Sequence, residues 1–172
     1  HTLHNLPFLP KPVMLHRVPH YMATYHSQHP GSRLALVVVD GLALDQWRVI
    51  RNVWTEEARA WVMEENSVFA WVPTLTAISR QAAFAGASPQ FFPGSWGTTS
   101  KEVSHWQQFW REQGLPADGV GYLRNLGVKH LRGDGYEDSA MRDREEGLEP
   151  ELQELLGSPQ IRVVGLVINT VD

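Results

Sequence analysis

The chain has 172 residues, 42% of them hydrophobic and 20% charged, which is an ordinary composition for one globular domain with a sizeable core. Its net charge of −4 and the lack of a dense Lys/Arg tract exclude an electrostatic footprint for nucleic acid or for an anionic membrane. The lack of cysteine excludes disulfides and thiolate metal sites. Because the chain also lacks an apolar run long enough to span a membrane, we predict a cytoplasmic protein.

The first part of the chain is expected to lead into the domain. Residues 1–12 contain three prolines among scattered apolar side chains, which favours an extended segment, and a short helix is predicted to start at Pro19. We therefore assign residues 1–29 to a lead-in linker and a short helix. The spacing of His16 and His20 permits a two-histidine metal site, but Pro19 interrupts a shared helix, so surface or capping roles are expected.

The next stretch, Leu34–Val39, is a continuous apolar run that ends abruptly at Asp40 and Gly41. Its three consecutive valines favour a strand over a helix, and a run without alternation predicts a parallel strand that is buried on both faces. Asp40 then lies at the carboxyl end of the strand, which is where open α/β sheets bind ligands. A turn-forming or capping role is the alternative for Asp40.

Two β-then-α units are predicted in this region. The strand before Asp40 is followed by a helix over 43–54, whose apolar residues recur at helical spacing. A second strand is predicted over 68–72, and it leads through Pro73 into a helix over 77–85 that Gly86 ends.

The rest of the chain is predicted to add helices and one more buried strand. In order, these elements are a loop over 87–98, a helix that ends at Gly114, a short helix or strand from Tyr122 to Leu126, a helix over 150–156 and a buried strand over 161–168. The residues from Thr99 to Glu102 form a capping-box pattern for the first of these helices. Three buried strands interleaved with helices predict a doubly wound α/β domain with a mainly parallel sheet.

A candidate active site lies where the second predicted helix begins. If Thr74 caps that helix, Thr76 falls in its first turn, where free backbone N–H groups and the helix dipole favour a phosphate. The Thr76 hydroxyl needs a base or a metal to act as a nucleophile, and Asp40 at the same sheet edge could hold that metal. Ser79 and Arg80 share the helix face of Thr76, so the guanidinium could grip phosphoryl oxygens. An ordinary surface or ion-pair role is the alternative for Arg80.

These residues carry a resemblance to a known family. The stretch from Val38 to Trp47, followed by that from Trp71 to Ala82, resembles the PglZ domain, an alkaline-phosphatase-superfamily module of bacteriophage-exclusion (BREX) systems. The resemblance implies a doubly wound sheet of alkaline-phosphatase-like type that is incomplete at the carboxyl end, because the chain matches only the front half of the catalytic domain. Residues 30–172 are therefore assigned to that front half.

The resemblance also implies roles for individual residues. Asp40 matches the metal-binding aspartate at the end of the superfamily's first strand, and Thr76 matches the nucleophilic second threonine of a Pro-Thr-x-Thr motif. Asp172 resembles the aspartate that binds the other metal. The phosphodiesterases of the superfamily have an asparagine where this chain has Ser79, while Arg80 follows the PglZ pattern.

The implied activity is that of a metal-dependent phosphohydrolase that acts on a phosphate mono- or diester in phage defence, together with other proteins of the exclusion system. Two divalent ions are implied, one held by Asp40 and Thr76 and the other by Asp172. Zinc is the superfamily's usual choice, and manganese or magnesium stays open because the ligands are oxygens. The remaining ligands are expected beyond Asp172, so the 172-residue chain alone is expected to be inactive.

Two alternatives stay open. The fold could serve as a non-catalytic scaffold of the defence complex. Alternatively, Asp40 could be the nucleophile of another α/β class, such as a receiver or a haloacid-dehalogenase-type phosphatase. That class needs a second carboxylate near the first, and Asp45 falls too far inside the next helix to share the end of the strand.

Overall fold

The computed structural model describes residues 13–57, 61–126 and 150–169, so the predicted lead-in over 1–12 and the candidate ligand Asp172 lie outside the described residues. The helices and strands in these ranges are, in chain order, α1 (Val18–Gln28), β1 (Leu34–Val39), α2 (Leu44–Glu57), α3 (Thr76–Ala85), α4 (Glu102–Glu112), β2 (Val120–Leu126), α5 (Pro150–Gly157) and β3 (Val163–Ile168). No helix in this part of the chain is long and apolar enough to cross a membrane.

The three strands form one parallel sheet in the order β1-β3-β2. Leu34 pairs with Val163 and Val39 with Ile168, while Val120 lies beside Val163 on the other side. β3 is therefore the central strand, and its continuous apolar sequence fits a strand that is covered on both faces. The prediction of an α/β domain with a parallel sheet is confirmed.

Helices cover both faces of β3. On one face, α3 and α4 supply most of a core that also includes β2 and β3; its buried members are Phe84, Trp106, Phe109, Trp110, Val120, Val163 and Val167. On the other face, the leucines of α5 pack against Ile161, Val164 and Leu166. Because alternate residues of a strand point to opposite faces, these two cores account for the apolar side chains of β3.

A glycine in the central strand sets how closely the helices approach the sheet. A Cβ on Gly165 would lie 2.8 Å from Cε1 of Phe84, which is closer than real Cβ atoms come, and 3.1 Å from Cδ2 of Tyr122, which is tighter than most Cβ contacts. The α3 helix can therefore pack directly on β3. This close contact fixes the position of α3, the helix that carries Thr76 and Arg80.

β1 departs from the prediction that it is buried on both faces. Val37 is 48% exposed and Ala35 is also exposed, and they alternate with partly buried neighbours. The reason is that β1 lies at an edge of the described sheet, with helices packed mainly on one side of it. The sequence run therefore predicted the strand and its direction, but its burial is that of an edge strand.

The predicted strand over 68–72 is wrong. In this segment Phe69 forms only an isolated parallel bridge with Met14, and the residue is 64% exposed. The third strand of the sheet is instead β2, which lies in the region that could not be assigned from sequence as either helix or strand. A run of apolar residues favours an extended backbone, but a strand also needs a sheet neighbour along its whole length.

Two predicted helix starts also differ from the structure. α3 begins at Thr76, with Leu75 in the N-cap position and no side-chain cap, so Thr74 does not cap it. α4 begins at Glu102 with no side-chain cap, so the predicted capping box is wrong as well. The predicted end of α3 is confirmed, because Gly86 adopts the left-handed conformation with φ of 62°.

Candidate functional site

The candidate site lies at the carboxyl edge of the sheet, where β1 and β3 end side by side. Asp40 directly follows β1 and Asn169 directly follows β3. The backbone N–H of Asp40 donates to the carbonyl of Ile168 over 2.9 Å, so the ladder continues one residue beyond the strands. This register places the Asp40 and Asn169 side chains next to each other.

Arg80 of α3 joins these two side chains. Its Nη1 donates to Oδ2 of Asp40 at 3.1 Å and to Oδ1 of Asn169 at 2.9 Å. The Arg80 side chain is only 7% exposed, whereas that of Asp40 is 24% exposed. The structure therefore brings two predicted site residues, Asp40 and Arg80, into direct contact.

The other side of the Arg80 guanidinium is held by Glu102, the first residue of α4. Nε donates to Oε1 and Nη2 to Oε2, both over 2.7 Å, which is the bidentate geometry that suits arginine and carboxylate. The Tyr122 hydroxyl of β2 donates to Oε2 of Glu102, also over 2.7 Å. Glu102 is fully buried. A continuous chain of hydrogen bonds thus runs from β2 through α4 and α3 to the edge of the sheet.

The pKa shifts in this network follow from burial and from its charges. Burial alone would lower the pKa of Arg80, but the hydrogen bonds and charges of Glu102 and Asp40 outweigh it, so the pKa is raised above its ordinary value. The pKa of Tyr122 is raised well above its ordinary value of 10, first by burial and then by the hydrogen bond to Glu102. Arg80 is therefore a permanent cation, and Tyr122 is a neutral hydrogen-bond donor at physiological pH.

Thr76 is the first residue of α3, and its side chain is exposed. The first N–H groups of a helix have no partner within the helix, so Thr76 lies in a region that favours an anion. Arg80 is four residues further along the same helix face, and helical side chains lean toward the amino end. The Arg80 contact with Asp40 therefore forms on the side of α3 that also carries Thr76. That Thr76 and Asp40 bind one cation together stays a prediction.

Ser79 is partly buried, and its backbone N–H donates to the carbonyl of Leu75 within the helix start. For Arg80, three of its nitrogens already donate to four acceptor atoms. A guanidinium has five N–H groups, so in this conformation one remains for a phosphoryl oxygen. The predicted grip on two phosphoryl oxygens at once would require Arg80 to leave one of its present partners.

The histidines near the start of the chain have other partners. Nδ1 of His16 accepts a hydrogen bond from Nε1 of Trp71 at 3.2 Å, and Nε2 of His20 lies 2.7 Å from the carbonyl of Gly86. His20 also packs edge-on against the Phe109 ring. These contacts connect α1 and the short turn before it, Leu15–Arg17, to the rest of the domain. His16 is buried, so it does not have the surface or capping role that was expected.

The described residues fit one part of a divalent metal site. In the described ranges, no group of three or more metal-binding side chains comes together. Asp40 nevertheless offers a carboxylate oxygen, because Arg80 binds Oδ2 and the structure records no donor to Oδ1 in these ranges. Asp40 and Glu102 carry two negative charges and Arg80 one positive charge, so the three groups together keep a net negative charge beside Oδ1. Asp40 thus suits a divalent cation as a single ligand.

Three residues of the network were missed in the sequence. Asn169 follows a buried strand just as Asp40 does, so the rule that singled out Asp40 applies to it equally. Glu102 was assigned to a capping box, which is a local pattern and says nothing about a partner in another helix. Tyr122 stands in a segment for which the sequence left helix and strand both open.

The comparisons with known proteins agree with this architecture. The family model described as the BREX system PglZ alkaline phosphatase-like domain matches residues 20–172, which is most of the chain. A search of curated proteins found no match. The matched region contains all five residues of the network, from Asp40 at the first strand to Asn169 at the last. On this match, the chain belongs to the PglZ family of alkaline phosphatase-like domains of BREX systems.

Proposed function

We propose that this chain contributes the nucleophile and a metal ligand to a phosphoester hydrolase that acts in phage defence. One observation carries the proposal: Arg80, one helical turn after the exposed Thr76, contacts Asp40 at the carboxyl edge of the sheet. This contact supports the proposal that a nucleophile at the start of α3 and a carboxylate after β1 act on one side of the domain. The family match supports a phosphatase-type activity.

In this proposal the Thr76 hydroxyl attacks phosphorus. Its Oγ1 forms a bond to phosphorus while the bond to the leaving oxygen breaks, and the hydroxyl proton passes to solvent. Water then cleaves the resulting threonine ester and releases the phosphate product. The free N–H groups at the start of α3 bind the phosphoryl oxygens as their charge grows.

Asp40 is the residue that would hold a divalent cation, with further ligands from outside the described residues. When bound, such an ion supplies positive charge that lowers the pKa of the threonine hydroxyl and neutralises the phosphate. Zinc, manganese and magnesium all suit oxygen ligands of this kind, and two ions are proposed, the second with Asp172. We propose that Arg80 positions Asp40, and that Ser79 contributes a hydrogen-bond donor near the phosphoryl group.

The test is a substitution at Thr76 in the intact protein. Thr76→Ala removes the attacking oxygen, so metal-dependent hydrolysis of an aryl phosphodiester should fall by several orders of magnitude. Thr76→Ser should keep part of the activity because it retains a hydroxyl. Thr55→Ala is a matched control, since Thr55 is an exposed helical threonine on α2. Stability should barely change, because alanine is the better helix former.

Hydrolysis by Thr76→Ala at the rate of the parent protein would show that the nucleophile is another group. A phage-exclusion assay separates the enzyme from the scaffold alternative. Should Thr76→Ala still support phage exclusion while the parent hydrolyses no phosphoester with any of the three metals, the domain acts as a scaffold.

A further inference from the structure

Glu102 is a fully buried carboxylate for which the proposed reaction has no direct use. Both of its oxygens are bound by Arg80, and one of them also accepts a hydrogen bond from Tyr122. A carboxylate in the core is unfavourable unless its charge is paired and its oxygens have donors, and both conditions are met here. Among the described residues, Arg80 is the group that connects Glu102 to Asp40, so an effect of Glu102 on Asp40 passes through Arg80.

The first effect is on charge. Arg80 lies 3.1 Å from Oδ2 of Asp40, and by itself it would cancel the negative charge that attracts a metal ion. Glu102 lies 2.7 Å from the same guanidinium and cancels that positive charge instead. The three groups together keep one net negative charge, and Asp40 is the member that is partly exposed to solvent.

The second effect is on orientation. The bidentate contact fixes the plane of the Arg80 guanidinium, so the two N–H groups of Nη1 are directed at Asp40 and Asn169. Tyr122 in turn fixes the Glu102 carboxylate, because its hydroxyl binds Oε2 at 2.7 Å. With Oδ2 of Asp40 held in this way, Oδ1 is the carboxylate oxygen left for a cation.

We propose that Glu102 and Tyr122 are positioning residues, which act through Arg80 to keep Asp40 negatively charged and oriented for binding a divalent cation. This inference rests on the proposed function, in which Asp40 is a metal ligand. Residues that orient metal ligands without binding the metal themselves matter for affinity: substituting them typically lowers metal affinity by about 10- to 100-fold. That part falls to buried Glu102 on α4 and partly buried Tyr122 on β2, two elements distant in sequence from the ligand.

The experiment measures Mn²⁺ binding to the intact protein by calorimetry and by the paramagnetic resonance signal of free Mn²⁺. The variants are Glu102→Gln, Tyr122→Phe, Arg80→Gln and the double variant Arg80→Gln/Glu102→Gln. Matched controls make the same changes away from the site: Glu112→Gln on the exposed part of α4, and Tyr25→Phe on α1. Affinity is measured far below the unfolding temperature of each variant, so that a loss of stability alone does not change it.

We expect Glu102→Gln to weaken Mn²⁺ binding by about 10- to 100-fold. Tyr122→Phe should cause a smaller loss in the same direction, while both controls stay within about twofold of the parent. In the Arg80→Gln background, the added Glu102→Gln change should have little effect, because no unpaired cation then faces Asp40. That dependence on Arg80 separates a positioning role from a merely structural one. If Glu102→Gln alone does not fold, Tyr122→Phe decides the outcome.

Two results would overturn the inference. One is unchanged Mn²⁺ affinity in both Glu102→Gln and Tyr122→Phe. The other is an equal loss from Glu102→Gln with and without Arg80, which would mean that Glu102 does not act through the arginine. Asp40→Asn tests the proposed function separately: if it leaves Mn²⁺ binding intact, Asp40 is not a ligand and the proposed function fails together with this inference. If it abolishes binding while Glu102→Gln has no effect, only the inference fails.

Discussion

The buried pair of Arg80 and Glu102 should dominate the stability of the region around the site. Glu102→Leu keeps a side chain of similar size but removes the acceptors for two hydrogen bonds from Arg80 and one from Tyr122. It leaves a cation that is only 7% exposed without its main counter-charge. Removing one partner of a buried pair typically costs about 3–5 kcal/mol. Because Asp40 still pairs with Arg80, we expect the lower end, about 3 kcal/mol.

The assay is urea unfolding followed by tryptophan fluorescence, which reports on the buried rings of Trp106 and Trp110. Thermal unfolding is a second measurement: at about 2–4 °C per kcal/mol for a chain of this size, the thermal midpoint should fall by about 6–12 °C. The double variant Arg80→Met/Glu102→Leu should regain most of the loss, because no buried charge then lacks a partner. Glu112→Leu, on the exposed part of α4, serves as the control. A loss below about 1 kcal/mol for Glu102→Leu would refute the reasoning, since surface substitutions have effects of that size.

Two further predictions concern the packing of α3 and the response to pH. Gly165→Ala places a Cβ 2.8 Å from the Phe84 ring, so urea unfolding should show that overpacking lowers the free energy of unfolding by about 1–3 kcal/mol. Gly94 faces open space, so Gly94→Ala should change that free energy hardly at all. The pKa of His105 is lowered by burial and then by the nearby charge of Lys101, so its folded form favours the neutral ring. The unfolded chain therefore binds this proton first, and stability should fall as pH drops below about 6.5 and level off once the lowered pKa is passed. Urea midpoints at several pH values should show this component in the parent, and its persistence in His105→Gln would contradict the assignment.

The edge of the sheet could largely be predicted from the sequence. The run that ends at Asp40 and the run that ends at Asn169 are both strands, and the structure places them in register as parallel neighbours. A continuous apolar run indicated a parallel strand in both cases, although only β3 is buried on both faces, and the polar residue after each run marks the same edge. The end of α3 at Gly86 was also predictable, since its left-handed backbone is one that glycine adopts freely.

The partners across the core could not be predicted in the same way. Glu102 stands three residues after Thr99, and this local pattern indicated a capping box, whereas its carboxylate binds Arg80 in another helix. The apolar segment around Phe69 was predicted to be a strand but is largely exposed, and β2 supplies the third strand instead. Local sequence patterns indicate which backbone conformation a segment prefers. Which segment joins the sheet depends on contacts with residues that are far away in the chain.

The strand order has a consequence for the way the chain is made. β3 is the last described strand to be synthesised, yet it lies between β1 and β2 and is the one on which both pair. Until it emerges, the two earlier strands have no partner among the described elements, and such long-range pairing is slow because a long loop must close first. Asp40 and Arg80 likewise meet Asn169 only after β3 has docked. Of the contacts in the network, the one with Asn169 therefore requires the completed sheet, whereas those of Glu102 with Arg80 and Tyr122 join elements that precede β3 in the chain.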